Sequence, residues 1–300
     1  MDEIAAAIDI GSNTVHMLAG HWRDGRVDRV DEASEMVGLA EDVYGTGSIA
    51  PARLVRTVEA VERLAQRARD HGARTALLIA TAAVRDASNA ADLAAAVQQR
   101  TGIEMRTIGG EHEAVLTFRG ASAGEEAPSL QVCDVGGGST EVIRAEAGRI
   151  ILQTSLPIGS ARLCRLFTSD PPTAGEVARA HEEAERVLVA LLPWKPGRLL
   201  ITGGTATTLA RVAGGTGRRY VTTADELARI RTSLTVRTAA EIAAAHRIDV
   251  RRARLLPGGA AIIAALRAAA GADELALTAA GLRDGILIEF LETRREKEAT

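Results

Sequence analysis

The chain has 300 residues, 46% hydrophobic and 25% charged, with a formal net charge of −3, which is ample for a buried core and predicts two domains rather than one. Aromatic residues make up 2% of it, too few for the stacking platforms of single-stranded nucleic-acid binders. Its two cysteines form no CxxC and its six histidines no ligand spacing, which removes a disulfide framework and a zinc site and leaves both thiols as reduced core residues.

The start of the chain lacks the basic run of a secretory signal, and the most apolar stretch, residues 260–270, is broken by Arg267 before it reaches the roughly 18 residues of a membrane span. A cytoplasmic protein without a membrane partner is expected.

Residues 4–18 read as a β-hairpin around DIGSNT, which begins at Asp9. Glycine lets a ligand approach the backbone there, and successive N–H groups with Ser12, Asn13 and Thr14 can donate to phosphate oxygens. Helical spacing of Leu54, Val58, Val61, Leu64 and Ala68 predicts a helix over 51–71, followed by an apolar strand over 75–80, a helix over 90–100 and a short strand over 103–108. Strands alternating with helices predict layered α/β domains. A helix then begins near Glu111, in the stretch IGGEHEA, with Glu111 and Glu113 in its first turn. Acids there complement the helix dipole, and beside a domain boundary one of them could also orient water.

Residues 121–129 read as the linker. A second hairpin of the same construction follows over 130–143, its DVGGGSTE beginning at Asp134, 125 positions after Asp9. Gly136, Gly137 and Gly138 leave no side chains in the way of a ligand, and the hydroxyls of Ser139 and Thr140 follow. Asp134 and Glu141 bracket this loop with hard oxygen ligands that suit Mg²⁺, or Mn²⁺, beside a phosphate. Residues 173–192 predict a long helix that ends near Pro193. The strand 198–202 then runs into GGTATT, where the unpaired amides of a helix start, at Gly204 and Thr205, favour an anion. Further helices are expected from about Thr238 and from Gly258, where LPGGAA reads as a turn into a helix, and an amphipathic helix over 282–295 closes the chain. Residues 211–267 hold eleven arginines against four acids, a net of +7, which a polyanion could use and which solvated helix faces would equally explain.

The two glycine hairpins resemble those of the actin-like superfamily. The ordered set AIDIGSNT, ATAAVRD (80–86), GxxEA (110–114), DVGGGSTE, SLPIGSARL (155–163), GGTATTLA (203–210), RARLLPGGAAII (252–263) and GLRDG (281–285) resembles more closely the exopolyphosphatase and guanosine pentaphosphate phosphohydrolase family, Ppx/GppA, over nearly the whole chain. The resemblance implies an α/β fold of two similarly built actin-like, ribonuclease H-like domains, 1–124 and 125–300, with an active-site cleft between them and a last helix able to pack back on the first.

It also implies a metal-dependent hydrolase of the terminal phosphate of inorganic polyphosphate or of guanosine pentaphosphate (pppGpp). Glu113 matches the family's catalytic glutamate, with Glu111 a bystander. Asp134 and Glu141 match the acids that hold the metal. Asn13, Gly136, Gly137, Gly138, Ser139 and Thr205 would contact phosphate, and Arg85 and Arg252 would neutralise it. Val115 departs from the family pattern, which often has Arg there, and the chain resembles the short form without helical C-terminal domains. A preference for pppGpp, a non-catalytic polyphosphate or nucleotide sensor, and an ATP-dependent kinase are the competing readings. No nucleic-acid partner is expected, and a homodimer is compatible with so apolar a chain.

Overall fold

The computed structural model describes residues 3–23, 26–191, 194 and 197–298. The chain forms two compact units, Met1–Glu125 with Gly281–Thr300 (unit 1) and Glu126–Ala280 (unit 2). These differ from a division at 124/125 chiefly in the last twenty residues, which belong to unit 1.

Unit 1 runs β1 (Ala5–Ile10), β2 (Thr14–Arg23), β3 (Arg26–Met36), α1 (Leu39–Thr46), α2 (Pro51–Asp70), β4 (Thr75–Ala80), α3 (Ala82–Asp86), α4 (Ala90–Thr101), β5 (Met105–Thr107) and α5 (Gly110–Ala121). Unit 2 runs β6 (Ser129–Val135), β7 (Thr140–Glu146), β8 (Arg149–Leu156), α6 (Ser160–Cys164), α7 (Ala174–Leu188), β9 (Arg198–Thr202), α8 (Gly204–Val212), β10 (Arg219–Thr223), α9 (Ala224–Ser233), α10 (Ala239–His246), α11 (Val250–Ala270) and β11 (Glu274–Thr278). The closing helix α12 (Leu282–Glu298) returns to unit 1, where it packs on α5.

The sheet of unit 1 has the order β3-β2-β1-β4-β5, and that of unit 2, from its other edge, β8-β7-β6-β9-β11-β10. In each, three strands consecutive in the chain are antiparallel neighbours, and the next two, reached through helical crossovers, are parallel to the first. This repeated order is the actin-like, ribonuclease H-like arrangement, with β10 added at one edge of unit 2.

All six residues of β1 are buried because helices cover both faces of its sheet. Alternation sends Ala6, Ile8 and Ile10 towards Leu39, Val58, Val61 and Leu93, and Ala5 and Ala7 towards Leu116 of α5 and Leu282 and Ile286 of α12. Each fully buried Ile or Leu contributes about 1.5–3 kcal/mol. The backbones of α5 and α12 cross at glycines: a Cβ on Gly285 would run into the Leu116 carbonyl, and one on Gly120 into the Gly281 carbonyl. Arg29 of β3 anchors the start of α12 with a two-pronged bond to Asp284, Nη2 donating to Oδ2 at 2.7 Å and Nε to Oδ1 at 3.3 Å.

Four expectations are corrected. LPGG does not turn into a helix but lies within α11, which starts seven residues before Pro257, behind the side-chain cap of Asp249. Pro257 forfeits one backbone bond, and the glycines serve packing: a Cβ at Gly258 would lie 2.9 Å from the Ser160 carbonyl, and one at Gly259 would strike Thr205. Consequently α11, with 21 residues, is long and apolar enough to cross a membrane, contrary to the reading that stopped at Arg267. Here its Ile262, Ile263 and Leu266 are buried in the core of unit 2. Finally, the strand expected over 103–108 is confined to β5, and α7 gives way at Val189 to a short 3-10 turn, the expected end at 192–193 lying outside the described residues.

Candidate functional site

Both glycine hairpins follow the first strand of their sheet and are wired alike. In unit 1 the Gly11 amide donates to the Thr14 carbonyl at 3.0 Å, while the carbonyls of Ser12 and Asn13 accept from Ala40, Val37 and Gly38 at the entry to α1. In unit 2 Gly136 donates to Ser139 at 3.1 Å, and the carbonyls of Gly136 and Gly137 accept from Ser160 and Ala161 at the entry to α6. Arg162 Nε adds a bond of 2.6 Å to the Gly138 carbonyl. With their carbonyls so used, the amides of Ser12 and Asn13, and of Gly137, Gly138 and Ser139, donate to no protein acceptor among the described residues. Such runs of unspent N–H groups suit an anion. A Cβ on Gly159 would lie 2.5 Å from the Gly137 carbonyl, so only glycine lets α6 approach this loop.

Side-chain hydroxyls are less available than the sequence implies. Thr14 donates to Met36 Sδ at 3.0 Å and Thr140 to the Ile158 carbonyl at 2.6 Å, so both are committed to the protein. Ser12 shares a bond of 3.2 Å with Tyr44.

In unit 2 strand register brings the acids together. Asp134 pairs directly with Glu141 across β6 and β7, Glu141 with Ser155 across β7 and β8, and Asp134 with Thr202 of β9. Directly opposed residues share a face, so the two carboxylates lie side by side. Glu141 is 1% exposed and accepts from Ser155 Oγ at 2.7 Å. Next to them Gly203, at φ 96°, turns β9 into α8, and a Cβ there would run into the Asp134 carboxylate. That brings the first turn of α8, with Gly204 and the nearly buried Thr205, beside Asp134. Arg252 of α11 reaches the same helix, donating to Thr208 Oγ1 at 3.4 Å.

Among the described residues no group of three His, Cys, Asp or Glu side chains is placed to hold a metal ion. Two adjoining carboxylates beside a glycine loop still fit Mg²⁺, which is commonly held by one or two carboxylates while phosphate and water complete its octahedron.

In unit 1 the remaining candidates gather where β1, β4 and β5 end. The Ile10 carbonyl accepts from the Thr81 amide and the Ala80 carbonyl from Ile108, so α3 and α5 start from the same edge as the first glycine loop. This carboxyl edge is where open parallel sheets bind ligands. Glu113 shares a helix face with Leu116, Thr117 and Gly120 and is 6% exposed, whereas Glu111 is exposed. Arg85 of α3 donates through Nη1 to the Ile108 carbonyl at 2.8 Å and to Glu113 Oε2 at 3.3 Å.

Two residues of this edge were absent from the expected site. Arg283 Nη1 lies 3.5 Å from Asp9 Oδ2, and its Nη2 reaches Glu32. Burial pushes the Asp9 carboxyl up to about 6, the nearby Arg283 charge and its hydrogen bond offsetting part of the rise. Their signals, the first acid of DIGSNT and the arginine of GLRDG, stand 274 positions apart. Ser155 likewise stood only within a motif, its bond to Glu141 hidden until β8 was in place. Of the expected set, Ser12, Asn13, Thr14, Arg85 and Glu113 belong to unit 1. Asp134, Gly136, Gly137, Gly138, Ser139, Thr140, Glu141, Gly204, Thr205 and Arg252 belong to unit 2. The cysteines are free, and burial pushes both thiols up, Cys164 to about 12.

The model of the Ppx/GppA phosphatase family matches residues 20–294. Exopolyphosphatase 1 of Mycobacterium tuberculosis is 29% identical over 307 residues, covering 97% of this chain and 89% of its own. The guanosine-5'-triphosphate,3'-diphosphate pyrophosphatase of Vibrio cholerae is 28% identical over 300 residues, covering 98% of this chain but 60% of its own. The crystal structure of the Aquifex aeolicus Ppx/GppA protein superposes with a TM-score of 0.80 at 26% identity, over 98% of this chain and 99% of that one.

Proposed function

The chain belongs to the Ppx/GppA phosphatase family, and on that premise we propose that it is an exopolyphosphatase, a hydrolase of phosphoanhydride bonds that releases orthophosphate from the end of inorganic polyphosphate. The observation that carries the choice of substrate is the set of unspent amides at residues 12–13 and 137–139, which offer contacts to phosphate oxygens, and an unbranched polymer presents little else. A relative named as an exopolyphosphatase matches 97% of this chain at 29% identity. The full-length match of this chain to the Vibrio cholerae protein keeps hydrolysis of the 5'-phosphate of pppGpp as the second reading.

In the proposed reaction the amides of Gly137, Gly138 and Ser139, the first turn of α8 at Gly204 and Thr205, and Arg252 hold phosphate oxygens. The Asn13 loop would offer phosphate contacts of the same kind. Asp134 and Glu141 would hold Mg²⁺, or Mn²⁺, which when bound offsets charge on the phosphoryl oxygens. Glu113 orients a water whose oxygen attacks the terminal phosphorus. The bond from that phosphorus to the bridging oxygen breaks, the shortened polymer leaves with the bridging oxygen, and the proton from water passes to the Glu113 carboxylate. Positioning and charge stabilisation supply most of the acceleration in such transfers. The same reading makes the cytoplasm the enzyme's location, makes free polyphosphate its partner rather than nucleic acid or a membrane, and takes a homodimer as its assembly.

The test is orthophosphate release from medium-length polyphosphate and from pppGpp at equal concentration, with Mg²⁺ and with chelator, for wild type beside Glu113→Ala. Metal-dependent release from polyphosphate that the variant loses supports the reading. Release from pppGpp alone moves the assignment to the second substrate, and tight binding of both without release moves it to a sensor.

A further inference from the structure

We infer that Arg85 positions Glu113 and at the same time offers its remaining donors to the substrate, so that one guanidinium fixes the distance between the base and the phosphate it serves. The inference rests on the reading of Glu113 as the base. Its starting point is a bond that phosphate neutralisation alone does not need. Nη1 of Arg85 is held 2.8 Å from the Ile108 carbonyl, the last residue before the turn into α5, and stands 3.3 Å from Glu113 Oε2 in the first turn of that helix. The main-chain anchor sets the plane of the guanidinium, because Arg presents its donors in a rigid fork. Its other end is fixed as well: the Arg85 amide bonds to the Thr81 carbonyl at 2.9 Å, and the Thr81 amide to the Ile10 carbonyl at the end of β1.

Two features separate this pair from a structural ion pair. The Glu113 side chain is 8% exposed while that of Arg85 is 28% exposed, so the carboxylate is buried and the arginine reaches solvent beside it. Among the described residues Nε and Nη2 of Arg85 donate to no protein acceptor. The helix α3 that carries Arg85 starts from the sheet edge that carries the unspent amides of Ser12 and Asn13. A guanidinium with one corner pinned and two donors unspent suits an anion, with planar, two-pronged geometry. The assignment therefore differs from simple charge neutralisation. Arg85 acts on turnover through the placement of Glu113, besides acting on binding.

The experiment measures kcat and KM for orthophosphate release from medium-length polyphosphate with Mg²⁺, using wild type, Arg85→Gln, Arg85→Lys, Glu113→Gln and the double variant Arg85→Gln/Glu113→Gln. Thermal unfolding of each variant is run alongside. Misplacing a catalytic group costs on the order of 10- to 100-fold in rate, and Arg85→Gln is expected to lower kcat by that much while raising KM less. Arg85→Lys keeps the charge but not the fork, and is expected to restore KM more fully than kcat. In the Glu113→Gln background the loss of Arg85 should change kcat by less than about threefold, because the group it positions is gone. A rise in KM with kcat unchanged, or full additivity in the double variant, overturns the inference. If Arg85→Gln fails to fold, the kcat and KM of Arg85→Lys decide alone. Should Glu113→Gln turn over like wild type, the proposed base is wrong, and that failure is distinct from a failure of Arg85.

Discussion

Asp9 and Arg283, one at the end of the first strand and the other in the first turn of the last helix, meet with Oδ2 and Nη1 3.5 Å apart inside unit 1. The contact ties the closing helix to the strand that leads into the first glycine loop. Asp9 stands on the β1 face that α5 and α12 cover, and desolvation there outweighs the help of Arg283, which is why its carboxyl rises from 3.8 to about 6.

A folded-state value above the unfolded one means that the native protein holds this proton more tightly. Its contribution to stability is therefore complete below about pH 3.8 and is lost as pH rises through about 6. Asp9→Asn has no such proton. Between pH 4 and 7 wild type should lose up to about 3 kcal/mol relative to this variant, as a shift near two units requires. Urea unfolding of both proteins at pH 4, 5, 6 and 7 measures the difference, and parallel stability curves would show that Asp9 titrates normally.

Asp134 and Glu141, opposed in register, should confer metal-dependent stability. Mg²⁺ at one hundred times its dissociation constant adds about 2.7 kcal/mol to a protein that binds it only when folded. Glu141→Gln retains an acceptor for Ser155 and should fold, yet it should lose most of the rise in Tm that Mg²⁺ gives wild type over chelator, together with most activity. An undiminished rise in Tm would place the metal elsewhere.

Gly203→Ala tests the contact between the start of α8 and the acid pair. The backbone at φ 96° disfavours any side chain, and the new Cβ meets the Asp134 carboxylate. A stability loss of about 1–3 kcal/mol is expected from the strain, with a fall in kcat on the order of 100-fold from the displaced carboxylate. Denaturation midpoints and steady-state kinetics report the two separately. Turnover within twofold of wild type would show that Asp134 tolerates the shift.

Gly285→Ala addresses the packing of α12 on α5, where the added methyl would collide with the Leu116 carbonyl. Overpacking of this kind costs about 1–3 kcal/mol. Gly45→Ala, within α1 and with nothing near its Cβ, is the matched control and should gain about 0.5–1 kcal/mol. Equal effects of the two substitutions, read by chemical denaturation, would mean that the helices part to admit the methyl.

Much of the chemistry was legible because it is local. The hairpins announce themselves by glycines and hydroxyls at a turn, and β4 and β9, apolar at their centres, were bounded correctly at residues 75–80 and 198–202. Edge strands left no such trace. β3 alternates exposed with half-buried, largely polar residues and buries only Val27, and β10 is mostly exposed, so neither stands out by hydropathy. LPGG was misread because Gly and Pro signal a turn by local propensity, whereas here contacts from α6 and α8 require glycine within a continuous helix. Glu111 and Glu113 are equivalent in sequence spacing, and burial separates them only once α5 has packed.

The sequence by itself determined the family, the two glycine hairpins and the residue types able to hold phosphate and metal, since these depend on chain chemistry within a few neighbouring positions. Tertiary structure decided which of those groups still have donors to spend: it committed Thr14 and Thr140 to the protein, left the amides of residues 137–139 unspent, paired Asp134 with Glu141 and placed Arg85 against Glu113. Hydrogen-bond satisfaction and burial are sums over neighbours brought from distant parts of the chain, and strand register and helix packing alone fix who those neighbours are.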